Sequence, residues 1–117
     1  MSRNNVSIIL NKLGITANLK GFLYLKYSIE IVINDWDYIY NITKKLYPMI
    51  AAKYNTTVNC VERSIRHSIE IAFDRGNKKL IDKIFHNKLT YRPTNGEFIS
   101  MIANHIIEIG MKSKLFK

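Results

Sequence analysis

Between Thr57 and Gly76 the chain keeps an unbroken helical period. Val58, Val61, Ile65, Ser68, Ile69 and Ala72 recur every three or four residues and fall on one arc of a wheel turning about 100° per residue. A strand alternates its faces and cannot bury this set, so residues 58–75 are predicted as an amphipathic helix with that arc in a core. Asn55-Thr56-Thr57 reads as a turn and N-cap before it, and Gly76-Asn77 ends it. Punctuation elsewhere is light. Five glycines and two prolines in 117 residues, without a Ser/Gly linker, low-complexity tract or repeat, predict compact helices with short connections.

The remaining segments fit that reading. Residues 5–13 place Val6, Ile9, Leu10 and Leu13 on one face, with Gly14 as terminator. Residues 20–34 carry Leu23, Tyr27 and Ile31 at helical spacing; β-branched Ile29, Ile31, Val32 and Ile33 would also suit a strand, and length favours helix. Residues 38–54 form a third helical segment that is either kinked at Pro48 or restarted by it at a first helical position. A short helix over 78–85 and a last one over 94–109 follow. Tyr91-Arg92-Pro93 is an extended connector, and Thr94 with Glu97 forms a capping box. The expected architecture is an all-α, six-helix bundle in one domain, and the strand-helix alternation of a Rossmann or receiver fold is missing.

Charge narrows the partner. Eighteen Lys+Arg against nine Asp+Glu leave +9, which calls for an anionic surface: nucleic acid, acidic membrane or acidic protein. No apolar run approaches the roughly 18 to 20 residues of a membrane span, and no signal-peptide block opens the chain, so no membrane role is expected. One cysteine, Cys60, excludes an internal disulfide framework and points to a reducing, cytoplasmic setting.

Opposite the apolar arc of 58–75 lie Asn59, Glu62, Arg63, Arg66 and Glu70. Such side chains can read a major groove, Arg donating twice to guanine, Glu accepting from cytosine and Asn pairing with adenine. The plainer reading is a solvated face with Glu62 and Arg66 as an i,i+4 ion pair. The preceding segment favours the first: Ile50-Ala51, then Asn55 four residues after Ala51 and Val61 ten after it, is helix-turn-helix spacing, with a small residue at the crossing, a residue tolerant of left-handed backbone in the turn and an aliphatic anchor beyond. Double-stranded DNA binding is therefore the leading expectation.

Five stretches carry a family resemblance: Lys20-Gly21-Phe22-Leu23-Tyr24-Leu25, residues 42–48 (ITKKLYP), residues 61–67 (VERSIRH), Arg75-Gly76-Asn77 and residues 93–99 (PTNGEFI). In order and spacing they resemble the carboxy-terminal effector domain of the stage-zero sporulation protein A family, response regulators of sporulation in endospore-forming Firmicutes. The resemblance implies a helical DNA-binding domain that activates or represses transcription, its fourth helix entering the major groove at TGTCGAA-type boxes. It implies base reading by Arg63 toward guanine and Glu62 toward cytosine, with Asn59 beside them, and flanking or phosphate contacts by Arg66, His67 and Thr56. Asn59 stands where Ser is common in the family and Cys60 where Arg is, so the family's flank preference is not carried over. By the same resemblance the basic stretch 76–92, with Lys78, Lys79, Lys83 and Lys88, faces the sigma factor of RNA polymerase, and there is room for self-association on tandem sites. The family's receiver domain has no counterpart in these residues, so an isolated effector domain is expected.

Other chemistry finds little footing. His67, His86 and His105 stand nineteen residues apart with no Cys or carboxylate pair at ligand spacing, so no metal or cofactor is expected. Asp35, Asp37, Asp74 and Asp82 pair with no nucleophile, and no enzyme motif occurs. Cys60, one turn into the 58–75 helix, is a candidate reactive thiol because helix N-termini lower thiol pKa. Tyr24, Tyr27, Trp36, Tyr38, Tyr40 and Tyr47 fit a core and its edge better than base stacking. The rival function is a basic protein-interaction module without specific DNA readout.

Overall fold

The computed structural model describes residues 3–85 and 92–115. Six α-helices run in order: α1 (Arg3–Lys12), α2 (Lys20–Asn34), α3 (Tyr47–Lys53), α4 (Val58–Arg75), α5 (Lys78–Ile84) and α6 (Asn95–Leu115). No strand occurs among the described residues. Lys88, His86 and Tyr91 lie outside them.

α2 is the central element, packed against α1, α3, α4 and α6. Its β-branched residues therefore serve a helix: Ile29 and Val32 are wholly buried, and packing on several sides outweighs their intrinsic strand preference. Gly21 sets how closely α2 approaches α4, since a Cβ there would overlap the Ser68 hydroxyl and the Ser64 carbonyl. Two buried hydroxyls on these helices are each satisfied within their own helix, Ser28 donating to the Tyr24 carbonyl at 2.6 Å and Ser68 to the Ser64 carbonyl at 3.0 Å. Leu10, Leu13, Leu25, Ile50, Ile65, Ile69, Phe98 and Ile102 complete the core. Phe85 bridges Phe73 of α4 and Phe98 of α6, with both ring centroids 5.6 Å away.

The expected helix ends largely hold. Gly14, at φ 95°, closes α1 in a Schellman motif: Ile15 N–H donates to the Leu10 carbonyl and Gly14 N–H to Asn11, while Ile15 and Leu10 are fully buried together. Thr94 and Glu97 exchange the two hydrogen bonds of a capping box, at 2.8 and 3.1 Å. α1 begins two residues before the expected Asn5, and α6 continues beyond the expected Ile109 to Leu115.

The third segment resolves in favour of a restart. A 3₁₀ stretch (Trp36–Asn41) and a π turn (Ile42–Leu46) precede α3, and Pro48 sits in the first turn of α3. Tyr47 N–H donates to the Ile42 carbonyl, five residues back, which widens the backbone just before the proline ring that would otherwise collide with it.

Candidate nucleic-acid interface

α3, a short turn and α4 build the expected helix-turn-helix. Asn55 has φ 52°, the left-handed conformation the turn requires. It closes α3 in a second Schellman motif, with Thr56 N–H bonded to the Ala51 carbonyl at 2.9 Å. Thr57 then caps α4, its hydroxyl accepting from Cys60 N–H at 3.1 Å. Ile50, Ala51, Val61, Ile65, Ser68, Ile69 and Ala72 are buried, so the arc expected to be core is core, with Val58 at its edge. The opposite face of α4 is thereby fixed toward solvent.

On that face Asn59, Arg63, Arg66 and His67 are exposed, and Glu62 and Glu70 are half-buried. Arg66 Nη1 donates to Glu62 Oε2 at 2.7 Å, the expected i,i+4 pair. His67 Nδ1 stands 3.8 Å from Glu70 Oε1. Among the described residues Arg63 makes no ion pair, and it lines one groove with Arg66, His67 and Glu70. The arrangement offers donors and acceptors of different lengths along about three turns of helix, which is what base edges in a major groove require.

Cys60 lies at the entrance of α4, its sulfur 3.9 Å from the Ser64 hydroxyl. Hydrogen bonds from the Thr56 hydroxyl and then from Ser64 hold its thiol below its usual pKa. Thr56 is thus half-buried beside Cys60 and Tyr24 at the start of the helix.

Two shallow grooves flank α4. One is lined by Asn18, Leu19, Lys20 and Gly21 of the α2 entrance together with Arg63, Arg66 and His67. The other is lined by Thr43, Tyr47, Arg92, Pro93, Thr94 and Asn95 together with Glu62 and Arg66. Lys20 and Asn95 had no place in the sequence reading of the site. Lys20 reaches the strip because Gly21 brings the start of α2 against α4. Asn95 is 33 residues from Glu62, and its Nδ2 nevertheless donates to the Glu62 carbonyl and to Tyr47 Oη, both at 3.0 Å.

Of the basic stretch after α4, Arg92 lines the second of these grooves, whereas the described lysines line neither. Lys78, Lys79 and Lys83 are exposed on α5, whose Asn77 N-cap accepts from Leu80 N–H at 3.1 Å. Lys83 lines a groove with Trp36, Met101, Asn104 and Glu108 that shares no residue with the grooves beside α4. Among the described residues no three His, Cys, Asp or Glu side chains gather to hold a metal ion, and no helix is long and apolar enough to cross a membrane.

One comparison with known proteins bears on this geometry. The family described as sporulation initiation factor Spo0A C terminal matches residues 6–106, nearly the whole chain and every element of the helix-turn-helix.

Proposed function

The chain belongs to the family of Spo0A C-terminal domains, DNA-binding effector domains of sporulation, and from that premise we propose that it binds specific double-stranded DNA through α4. In this reading Arg63 reads guanine, Glu62 reads cytosine and Asn59 reads a neighbouring base within a TGTCGAA-type box. Arg66, His67 and Thr56 meet flanking or backbone positions. The bound domain activates or represses transcription as part of a cytoplasmic response regulator, and copies associate on tandem sites.

The observation that carries the proposal is the division of α4 into two faces. Val61, Ile65, Ile69 and Ala72 are spent on the core, while Asn59, Arg63 and Arg66 stand exposed beyond a left-handed turn at Asn55. Lys20 at the rim and a net charge of +9 supply the attraction for phosphates that positions a helix before it reads bases. A competition titration tests it. Binding to a TGTCGAA-containing duplex is expected to survive excess scrambled duplex and to weaken linearly in log affinity against log salt. Equal competition by both duplexes would leave only general adhesion.

A second surface accompanies the first. The α5 lysines Lys78, Lys79 and Lys83 are exposed, and the groove that Lys83 lines is separate from the α4 strip, which supports their meeting an acidic protein partner. By family resemblance that partner is the polymerase sigma factor.

A further inference from the structure

The stretch 93–99 lies outside α4, yet the first residue of α6 within it touches the backbone of the strip. Asn95 sits in the first turn of α6, which the Thr94–Glu97 capping box holds rigid. Its amide nitrogen donates to Tyr47 Oη at 3.0 Å and to the Glu62 carbonyl at 3.0 Å. The Glu62 carbonyl can only accept, which fixes the amide with its nitrogen toward α4. Both of its protons are then used.

Three elements meet at this side chain: the start of α3, the recognition helix and the start of α6. The carbonyl concerned belongs to the peptide joining Glu62 to Arg63. Tyr47 is 4% exposed, and burial pushes its phenol above the usual pKa, so it remains a neutral hydroxyl. The apolar contacts of Val61, Ile65 and Ile69 hold α4 against the bundle, but the hydrophobic force behind them is non-directional. A hydrogen bond to one peptide plane is directional.

We infer that Asn95 is a positioning residue for base recognition, setting the rotation of α4 so that the side chains at Glu62 and Arg63 meet the base edges together. The inference rests on the proposed DNA-reading role of α4. It predicts that losing the amide separates affinity from specificity: phosphate attraction, which tolerates small rotations, survives, and base reading does not.

The experiment compares the TGTCGAA-type duplex with its scrambled counterpart for the wild-type domain and three variants, with thermal melts alongside. Asn95→Ala is expected to lower the cognate-to-scrambled ratio by about tenfold, the size of one good base contact, while scrambled binding stays near wild type. Asn95→Asp is nearly isosteric and places a carboxylate in the first turn of a helix, where it favours folding. It turns a donor into an acceptor facing the Glu62 carbonyl, and is expected to lose at least as much discrimination; it gives the answer if the alanine variant does not fold. Tyr47→Phe keeps the bond to Glu62 and is expected to melt earlier while keeping its ratio. A discriminating wild type whose Asn95 variants keep the same ratio overturns the inference, as does a Tyr47→Phe variant that loses discrimination equally. A wild type that does not discriminate overturns the DNA reading itself, and the inference with it.

Discussion

The guanidinium of Arg66 stands 2.7 Å from the carboxylate of Glu62, one turn earlier on the same exposed face of α4. In the free domain the acceptor assigned to cytosine is therefore already paired with a neighbour able to meet a phosphate. Because the Arg66 side chain is 54% exposed, the pair adds little stability, and its consequence lies in binding.

Glu62→Ala is accordingly expected to change stability by no more than about 0.5 kcal/mol. Removing the carboxylate also frees Arg66 and deletes a negative charge, so binding to scrambled DNA should hold or rise while discrimination at one base pair relaxes. Titration against a set of duplexes, each with one base pair of the box replaced, shows which. A uniform loss across the set would remove Glu62 from base reading.

The turn makes a separate prediction. Asn55 at φ 52° occupies backbone space that a β-branched residue enters only at a cost of about 1–2 kcal/mol, whereas glycine enters freely. Asn55→Val should lower the melting temperature by several degrees, and Asn55→Gly should leave it nearly unchanged. Equal melts for the two would contradict a left-handed turn.

Much of this architecture was legible because its signals are local. The Asn55 turn, the Thr57 cap, the Gly14 terminator and the Thr94–Glu97 box each act within five residues, and the arc of Val61, Ile65, Ile69 and Ala72 follows from helical period alone. Pro48 left two readings open, because a proline states which hydrogen bond cannot form and not where the displaced carbonyls go; the π turn before it settles that. Lys20 and Asn95 stayed hidden for another reason. Their places depend on how α2 and α6 pack on α4, through a close approach at Gly21 and a bond spanning 33 residues, and no local pattern encodes either.

Gly21→Ala tests that close approach. Helix propensity alone would favour alanine by about 1 kcal/mol, but the new Cβ would overlap the Ser68 hydroxyl and the Ser64 carbonyl. The hydroxyl can turn away and the backbone carbonyl cannot, so a net loss of about 1–3 kcal/mol is expected in denaturant unfolding. Adding Ser68→Ala should recover only part of it. Full recovery would place the constraint in the side chain instead of the helix backbone.

Charge reversal at Lys79 and Lys83 separates the two basic surfaces. Both residues are exposed on α5, and the groove Lys83 lines is distinct from those beside α4. DNA affinity should be largely retained and activated transcription lost when both are measured on one promoter. A parallel loss of both would assign these lysines to DNA.

The most direct test of the central claim is a cycle crossing Arg63→Ala with replacement of the guanine it is assigned to read. Four binding constants are measured at one salt concentration near 150 mM, where screening extends over roughly 8 Å. Each single change is expected to weaken binding by about 1–3 kcal/mol, and the double change to cost little more than either alone, since both remove the same contact. Strictly additive losses would mean that Arg63 and that base do not meet, and would contradict the account of α4 as the reading helix.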